Sequence, residues 1–242
     1  MNAPSSQGDC PTAGYSSSSP SGLRVQAVIF DVDGLMVDSE PLQTQAWDIY
    51  LEPFGHRIGP AEKALLLGRR VIESAAVLKS RLDLPGEPEA IVAARRPILF
   101  SLIREKLRPM PGLYDLTAAC ARLGLATAVA SSSYADYVAL VLRLTNLESR
   151  FAAVVTGDQV KSGKPDPEVF VRAADCLAVH PSRCLVLEDS PNGVLAAKRA
   201  GMWCAAINAS PAAMRELSAA DVIRPQLGDV IPDIVRWANR AE

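Results

Sequence analysis

Asp31, Asp33 and Asp38 fall within eight residues of one another in the stretch VIFDVDGLMVDSEPLQ (28–43), with Glu40 just beyond. The apolar run 25–30 before them reads as a buried strand that ends in acid around Gly34. Three later apolar runs end in chemistry as well. LATAVA (125–130) runs into Ser131-Ser132-Ser133, AAVVT (152–156) is followed by Gly163-Lys164-Pro165, and CLVLE (184–188) ends in Glu188-Asp189-Ser190. Two carboxylates about 5 Å apart repel by roughly 3 kcal/mol at an effective dielectric of about 20. Left unpaired, one of them would be driven to take up a proton. A divalent cation removes the conflict, and all-oxygen ligation completed by water suits Mg²⁺. The serine run precedes a helix N-terminus, where free N–H groups and the helix dipole favour an anion. Lys164 adds a compact positive charge, and Pro165 biases its backbone to an extended conformation. Metal-holding acids, an ammonium, hydroxyls and a helix N-terminus together describe a phosphate site.

These groups converge only if the elements between them place the strand ends along one edge. The spacing predicts a helix over 40–54, with Ser39 as N-cap and Pro41 in its first turn. Residues 55–108 read as helix after helix (61–67, 70–82 and 87–107), punctuated by Gly68 and the DLPGEP turn at 83–88. After PMPG (109–112) the pattern changes. Helices over 113–123, 134–144, 167–178 and 191–200 alternate with strands over 125–130, 152–156, 184–188 and 204–208. Continuous apolar strands alternating with helices mean βαβ units and a parallel sheet. The fold class is therefore α/β, a doubly wound, Rossmann-like core carrying an inserted all-helical cap domain. The core takes residues 23–39 and 110–242, and the cap takes residues 40–109. Ligands of such sheets bind beyond the carboxyl ends of the strands, where the acids, serines and lysine fall.

Composition narrows the function classes. The net charge of −2 and a pI near 5.8 give no basic footprint for nucleic acid and no polybasic anchor. No apolar run approaches the roughly 20 residues of a membrane helix. The five cysteines, at 10, 120, 176, 184 and 204, form no C-x-x-C pair, and with only two histidines a zinc site is not expected. Reduced thiols and a cytoplasmic location follow as expectations. Residues 1–22 are dominated by Ser, Pro and Gly and read as a disordered tail without chemistry.

In order and spacing, DVDGLMVDSEP, AVASSS, GKPDPEVF and LVLEDSPNGVLAAKRAGM resemble the four motifs of the haloacid dehalogenase (HAD) superfamily. The helical insertion is similar to the small cap of the subgroup containing β-phosphoglucomutase and small-metabolite phosphatases. The resemblance implies Asp31 as nucleophile, becoming an aspartyl-phosphate, and Asp33 as general acid and base. It implies phosphate binding by Ser131, the Ser132 N–H and Lys164. It implies Mg²⁺ at Asp31, Asp33, Asp189 and Glu188, with the Val32 carbonyl. Two positions depart from the mutase pattern: Gln43 replaces a linker histidine and Val71 replaces a cap arginine, leaving Arg69 and Arg70 to recognise substrate or cover the site.

The function implied is Mg²⁺-dependent hydrolysis of a small phosphorylated metabolite, of sugar phosphate or nucleoside monophosphate type. The alternative is a β-phosphoglucomutase-like mutase. Asp33 argues against dehalogenation, and the complete residue set argues against a binding module without catalysis. The partner expected is the small metabolite alone, with no nucleic acid, no membrane and a monomeric chain.

Overall fold

The computed structural model describes residues 24–66 and 69–239. The predicted tail at 1–22 and the helix-breaking Gly68 lie outside the described residues. Six parallel strands form one sheet: β1 (Ala27–Phe30), β2 (Ala126–Ala130), β3 (Ala153–Val155), β4 (Cys184–Glu188), β5 (Trp203–Ile207) and β6 (Val222–Arg224). Their order is β3-β2-β1-β4-β5-β6, so the chain leaves β1 in both directions. β1 pairs Phe30 with Val129 on one side and with Leu187 on the other. β1 and β4 are buried along their whole length, the reason for their unbroken apolar runs. The order also brings the loops after β1, β2 and β4 side by side.

Helices cover both faces. On one face α5 (Leu113–Arg122), α6 (Ala135–Leu144) and α10 (Ile231–Ala238) close a core around Phe30, Val129 and Leu187. On the other, α7 (Glu168–Cys176) and α8 (Pro191–Arg199) pack Phe170 and Val194 against Ile29 and Val186. Burying each such side chain contributes about 1.5–3 kcal/mol.

Four helices lie between β1 and α5: α1 (Glu40–Leu51), α2 (Pro60–Leu66), α3 (Val71–Leu82) and α4 (Pro88–Lys106). They have their own apolar cluster, in which Trp47, Leu51, Leu78 and Ile91 are buried. The inserted helical cap follows from this second core. α4 serves both bodies: Ile91 and Val92 belong to the cap cluster, and Leu99, Leu102 and Ile103 to the main core. A helix shared in this way joins the two cores.

Beyond residue 208 lie elements that the pattern does not announce, among them α9 (Pro211–Glu216), β6 and α10. β6 is three half-buried residues at the sheet edge, too short to show a period. α10 carries Ile234 and Trp237 inward, and the Trp237 ring lies 5.5 Å from that of Trp203, so both tryptophans act in packing. Cys120, Cys184 and Cys204 are free and buried. Cys176 is disulfide-bonded, so the expectation of reduced thiols fails at that position. No helix among the described residues is long and apolar enough to cross a membrane.

Candidate active site

The β1 ladder carries one step past the strand, through Asp31 N–H to Leu187 O at 3.1 Å. The chain then turns at once. Val32 O accepts the N–H groups of Met36 and Val37, at 2.9 and 3.2 Å. Both of its lone pairs are thereby engaged, so the expected role of this carbonyl as a metal ligand is not met. Gly34 lies at φ +82°, and a Cβ there would run into the Asp189 carboxylate. Glycine is thus required both by the turn and by the close approach of the β4 loop.

Lys164 comes from a loop fastened at several points. Glu168, in the first turn of α7, accepts the N–H groups of Lys161 and Ser162, and Arg172 reaches Gln159 O at 2.6 Å. The Lys164–Pro165 peptide bond is cis. The Lys164 ammonium, 4% exposed, lies 2.5 Å from Asp31 Oδ1 and 2.6 Å from Glu188 Oε1, with Ala130 O at 3.3 Å. Glu188 Oε2 accepts from the Asp189 and Ser190 N–H groups and from Ser190 Oγ, at 2.9–3.0 Å. A Cβ on Gly193 would collide with the same carboxylate, so α8 can begin this close only with glycine there.

The electrostatics follow from burial. Burial, opposed by Lys164 and reinforced by Glu188, pushes the Asp31 carboxyl up to about 7. Asp189 is raised well above the usual carboxylate range by burial, then by Glu188 and Asp31. Burial alone would lower Lys164, but Asp31 and Glu188 outweigh it and keep the amine charged. Oxygens of Asp31, Glu188 and Asp189 lie within 4.8 Å of one another. One ammonium does not neutralise three such acids, and Asp189 makes no ion pair with it. The oxygen-only donor set and the two strained carboxyls fit a hard divalent cation.

Asp33 stands outside that cluster. Its Oδ1 accepts from Ser39 Oγ at 2.5 Å and Tyr137 OH at 2.6 Å, and its Oδ2 from Ser133 Oγ at 2.7 Å. Ser39 occupies the N-cap position of α1 but makes no cap bond, because its hydroxyl is turned to Asp33. Ser131 is buried behind the site, where its Oγ accepts the Ser133 N–H at 3.0 Å; Ser132 and Ser133 line the cavity.

A cavity of about 140 Å³ opens above these groups, floored by Asp31, Asp33, Lys164 and Asp189. The cap contributes Trp47, Val71, Arg69 and Lys63 to its wall. Arg69 donates from Nε to Leu65 O at 2.7 Å. Arg70 is not on that wall. It pairs with Glu73 and spans to the core, donating to Val160 O and Lys161 O at 3.3 and 3.2 Å.

Arg95 and Tyr137 are site residues that lie outside the motifs, and Ser39 and Ser133 lie within them without an assigned role. Arg95 is 2% exposed, lies 4.2 Å from the Trp47 ring, and donates to Gln43 O and Oε1 at 2.8 and 2.7 Å. Burial lowers its guanidinium to about 9, still a cation at neutral pH. Its signal was available: position 95 falls on the apolar stripe formed by Ile91, Leu99 and Leu102. A charged residue on such a stripe needs a partner.

A parallel sheet with acids, serines and a lysine at its carboxyl edge and a helical insertion after β1 defines a capped, Rossmann-like α/β enzyme. A sequence model of haloacid dehalogenase-like hydrolases matches residues 25–201, and the chain belongs to that family. It is 32% identical to a phosphorylated carbohydrates phosphatase of Thermotoga maritima, over 74% of this chain and 82% of the relative. It is 33% identical to a probable pseudouridine-5′-phosphatase of Drosophila melanogaster, over 87% and 93%. The crystal structure of CbbY from Rhodobacter sphaeroides in complex with phosphate superposes with a TM-score of 0.78 at 28% identity, covering 85% of this chain and 96% of that one. The chain is a phosphatase of the HAD type.

Proposed function

We propose that the protein hydrolyses a small phosphate monoester, of sugar phosphate or nucleoside monophosphate type, through an aspartyl-phosphate on Asp31. The observation that carries this reading is the Lys164 ammonium, buried between Asp31 and Glu188 at the floor of the cavity. An Asp31 oxygen attacks phosphorus and the ester P–O bond breaks. Asp33 gives its proton to the departing oxygen, then takes a proton from the water that hydrolyses the acyl phosphate. Lys164 holds the nucleophile in place and faces the charge that develops on the phosphoryl oxygens. Ser132 and Ser133 add polar groups to the cavity lining. Asp31 and Asp189 would hold Mg²⁺, with Glu188 bracing both Lys164 and the Asp189 backbone. When bound, the ion offsets negative charge on the transferring group. Named relatives that act on phosphorylated carbohydrates and on pseudouridine 5′-phosphate support a substrate of this size.

The test is turnover of p-nitrophenyl phosphate with and without Mg²⁺, together with capture of an acid-stable, alkali-labile phosphoprotein that Asp31→Asn cannot form. Activity of Asp31→Asn within tenfold of the parent would reject the assignment. A mutase reading has one observation in its favour, since Lys63 and Arg69 on the cavity wall are cations that a distal phosphate would need. Against it, Gln43 and Val71 also line the wall, and Gln43 is committed to Arg95. Incubation with β-glucose 1-phosphate and a trace of glucose 1,6-bisphosphate separates the two. Phosphate release supports hydrolysis, whereas glucose 6-phosphate formed without it establishes the mutase.

A further inference from the structure

The two oxygens of Asp33 are held unequally. Oδ1 takes two short bonds, from Ser39 at the start of α1 and from Tyr137 in the first turn of α6, with Gln43 Nε2 at 3.4 Å. Ser39 and Tyr137 are 0% and 3% exposed: Ser39 meets the cavity wall as a fully buried residue, Tyr137 lies behind that wall, and Ser133 is the more exposed of the three donors. The Tyr137 ring lies 6.4 Å from that of Phe100 on α4, and the residue is fixed where α6 meets the shared helix. Oδ2 takes one bond, from Ser133, whose side chain belongs to the cavity wall. An oxygen with two buried donors has no lone pair left for a ligand. An oxygen with one donor at the cavity surface can exchange that donor for an ester oxygen.

We propose that Tyr137 is a positioning residue for Asp33: with Ser39 it pins Oδ1, so that Oδ2 is the oxygen that delivers the proton to the leaving group. The assignment rests on Asp33 acting as the acid of the proposed phosphatase. Burial and the Asp33 carboxylate raise the Tyr137 phenol well above its ordinary range, so it serves only as a donor. It touches no substrate in this role and takes no part in the proton transfer. Its effect is geometric, because proton transfer requires the carboxyl within hydrogen-bond reach of the departing oxygen. A misplacement of about 1 Å can cost on the order of a hundredfold in rate.

Tyr137→Phe removes the hydroxyl and keeps the ring. The readout is kcat/KM on p-nitrophenyl phosphate and on phenyl phosphate, two esters of similar shape whose leaving groups differ in their need for a proton. This ratio reports ester cleavage and excludes the later hydrolysis of the aspartyl-phosphate. Tyr137→Phe is expected to lose about tenfold more on phenyl phosphate than on p-nitrophenyl phosphate, with inhibition by inorganic phosphate unchanged. Equal losses on both esters, or none, would overturn the assignment, because a merely structural tyrosine has no means of sensing the leaving group. Should Tyr137→Phe fail to fold, Ser39→Ala carries the same test by removing the other donor on Oδ1, with the same outcomes. A parent enzyme inactive on both esters overturns the phosphatase reading and this one with it. An active parent with equal losses overturns this one alone.

Discussion

Lys164 and Asp31 form a buried pair, Nζ to Oδ1 at 2.5 Å, with neither side chain more than a tenth exposed. Glu188 completes a triad on the same ammonium at 2.6 Å. The lysine thus orders the nucleophile and keeps two buried acids from facing each other unshielded. Lys164→Ala should lower kcat/KM on p-nitrophenyl phosphate by at least about a hundredfold, the scale of losing one preorganised charge. It should also destabilise the fold by about 3 kcal/mol in metal-free buffer, since breaking a buried pair strands its partners. Steady-state kinetics and a urea melt read the two effects separately. A variant with parental kinetics would make Lys164 a purely structural residue.

The acid cluster leads to a prediction about thermal stability as well as activity. Asp31, Glu188 and Asp189 share one ammonium, and burial opposes the charge on two of them. A cation that binds the folded state stabilises it by about 2.7 kcal/mol at a hundred times its dissociation constant. Mg²⁺ should therefore raise the Tm, a chelator should reverse the rise and abolish activity, and Asp189→Asn should remove most of the Mg²⁺ response. An Asp189→Asn protein that keeps the parental Mg²⁺ shift would place the cation elsewhere.

How far the sequence led depends on which contacts are local. Asp31 and Gly34 were legible because the strand, the turn and the acid spacing lie within a few residues. Lys164, Glu188 and Asp189 were legible because each ends a strand or its following loop, and a parallel sheet gathers those ends. The partners of Asp33 were not. Ser39 has the composition and place of an N-cap, and only the folded chain shows its hydroxyl spent on Asp33. Tyr137 lies 104 positions from Asp33, and as an aromatic on an apolar helix face it looks like packing. Arg70 was expected to recognise substrate or cover the site, and only the folded chain shows that, from the N-cap position of α3, it reaches the Val160 and Lys161 carbonyls. β6 escaped notice because three residues at a sheet edge carry no periodicity.

The free thiols lead to a prediction with a definite sign. Burial pushes Cys120 and Cys184 up to about 12, and Cys204 higher still. In the unfolded chain a thiol ionises near pH 8.5. Above that pH the unfolded state sheds protons that the native state retains. Stability should be unaffected by these groups below about pH 8 and fall as pH rises toward 12, by about 1.4 kcal/mol per pH unit per thiol. Urea midpoints at pH 8, 9 and 10 check the slope. Cys120→Ala should flatten it by that residue's share, and an unchanged slope would show that Cys120 does not contribute. In native protein at pH 7 these three thiols should resist alkylation until denaturant is added.

Arg69 and Arg70 are neighbours with opposite commitments, and their variants should separate. Arg69 lines the cavity wall, and its side chain donates to a backbone carbonyl within the cap. It remains available to a substrate oxygen. Arg70 pairs with Glu73 and reaches the two carbonyls that precede the Lys164 loop, so it ties the cap to the core. Gly163 packs against the Arg70 and Glu73 side chains so closely that a Cβ would press on both. Arg69→Ala should raise KM for the physiological class of substrate by about tenfold and leave kcat nearly intact, as expected for binding energy shared by ground and transition states. Arg70→Ala should lower kcat, because a cap that closes less often admits water and leaves the site incomplete. It should also expose the 156–164 loop to limited proteolysis, which Arg69→Ala should not. Parallel measurements on one metabolite phosphate and on p-nitrophenyl phosphate make the contrast sharper. The Arg69→Ala defect should shrink on the aryl ester, which has little for the cap to recognise, while the Arg70→Ala defect should persist on both. If Arg70→Ala instead raised KM on the metabolite alone and left the loop protected, Arg70 would be a substrate ligand and the tie to the core incidental.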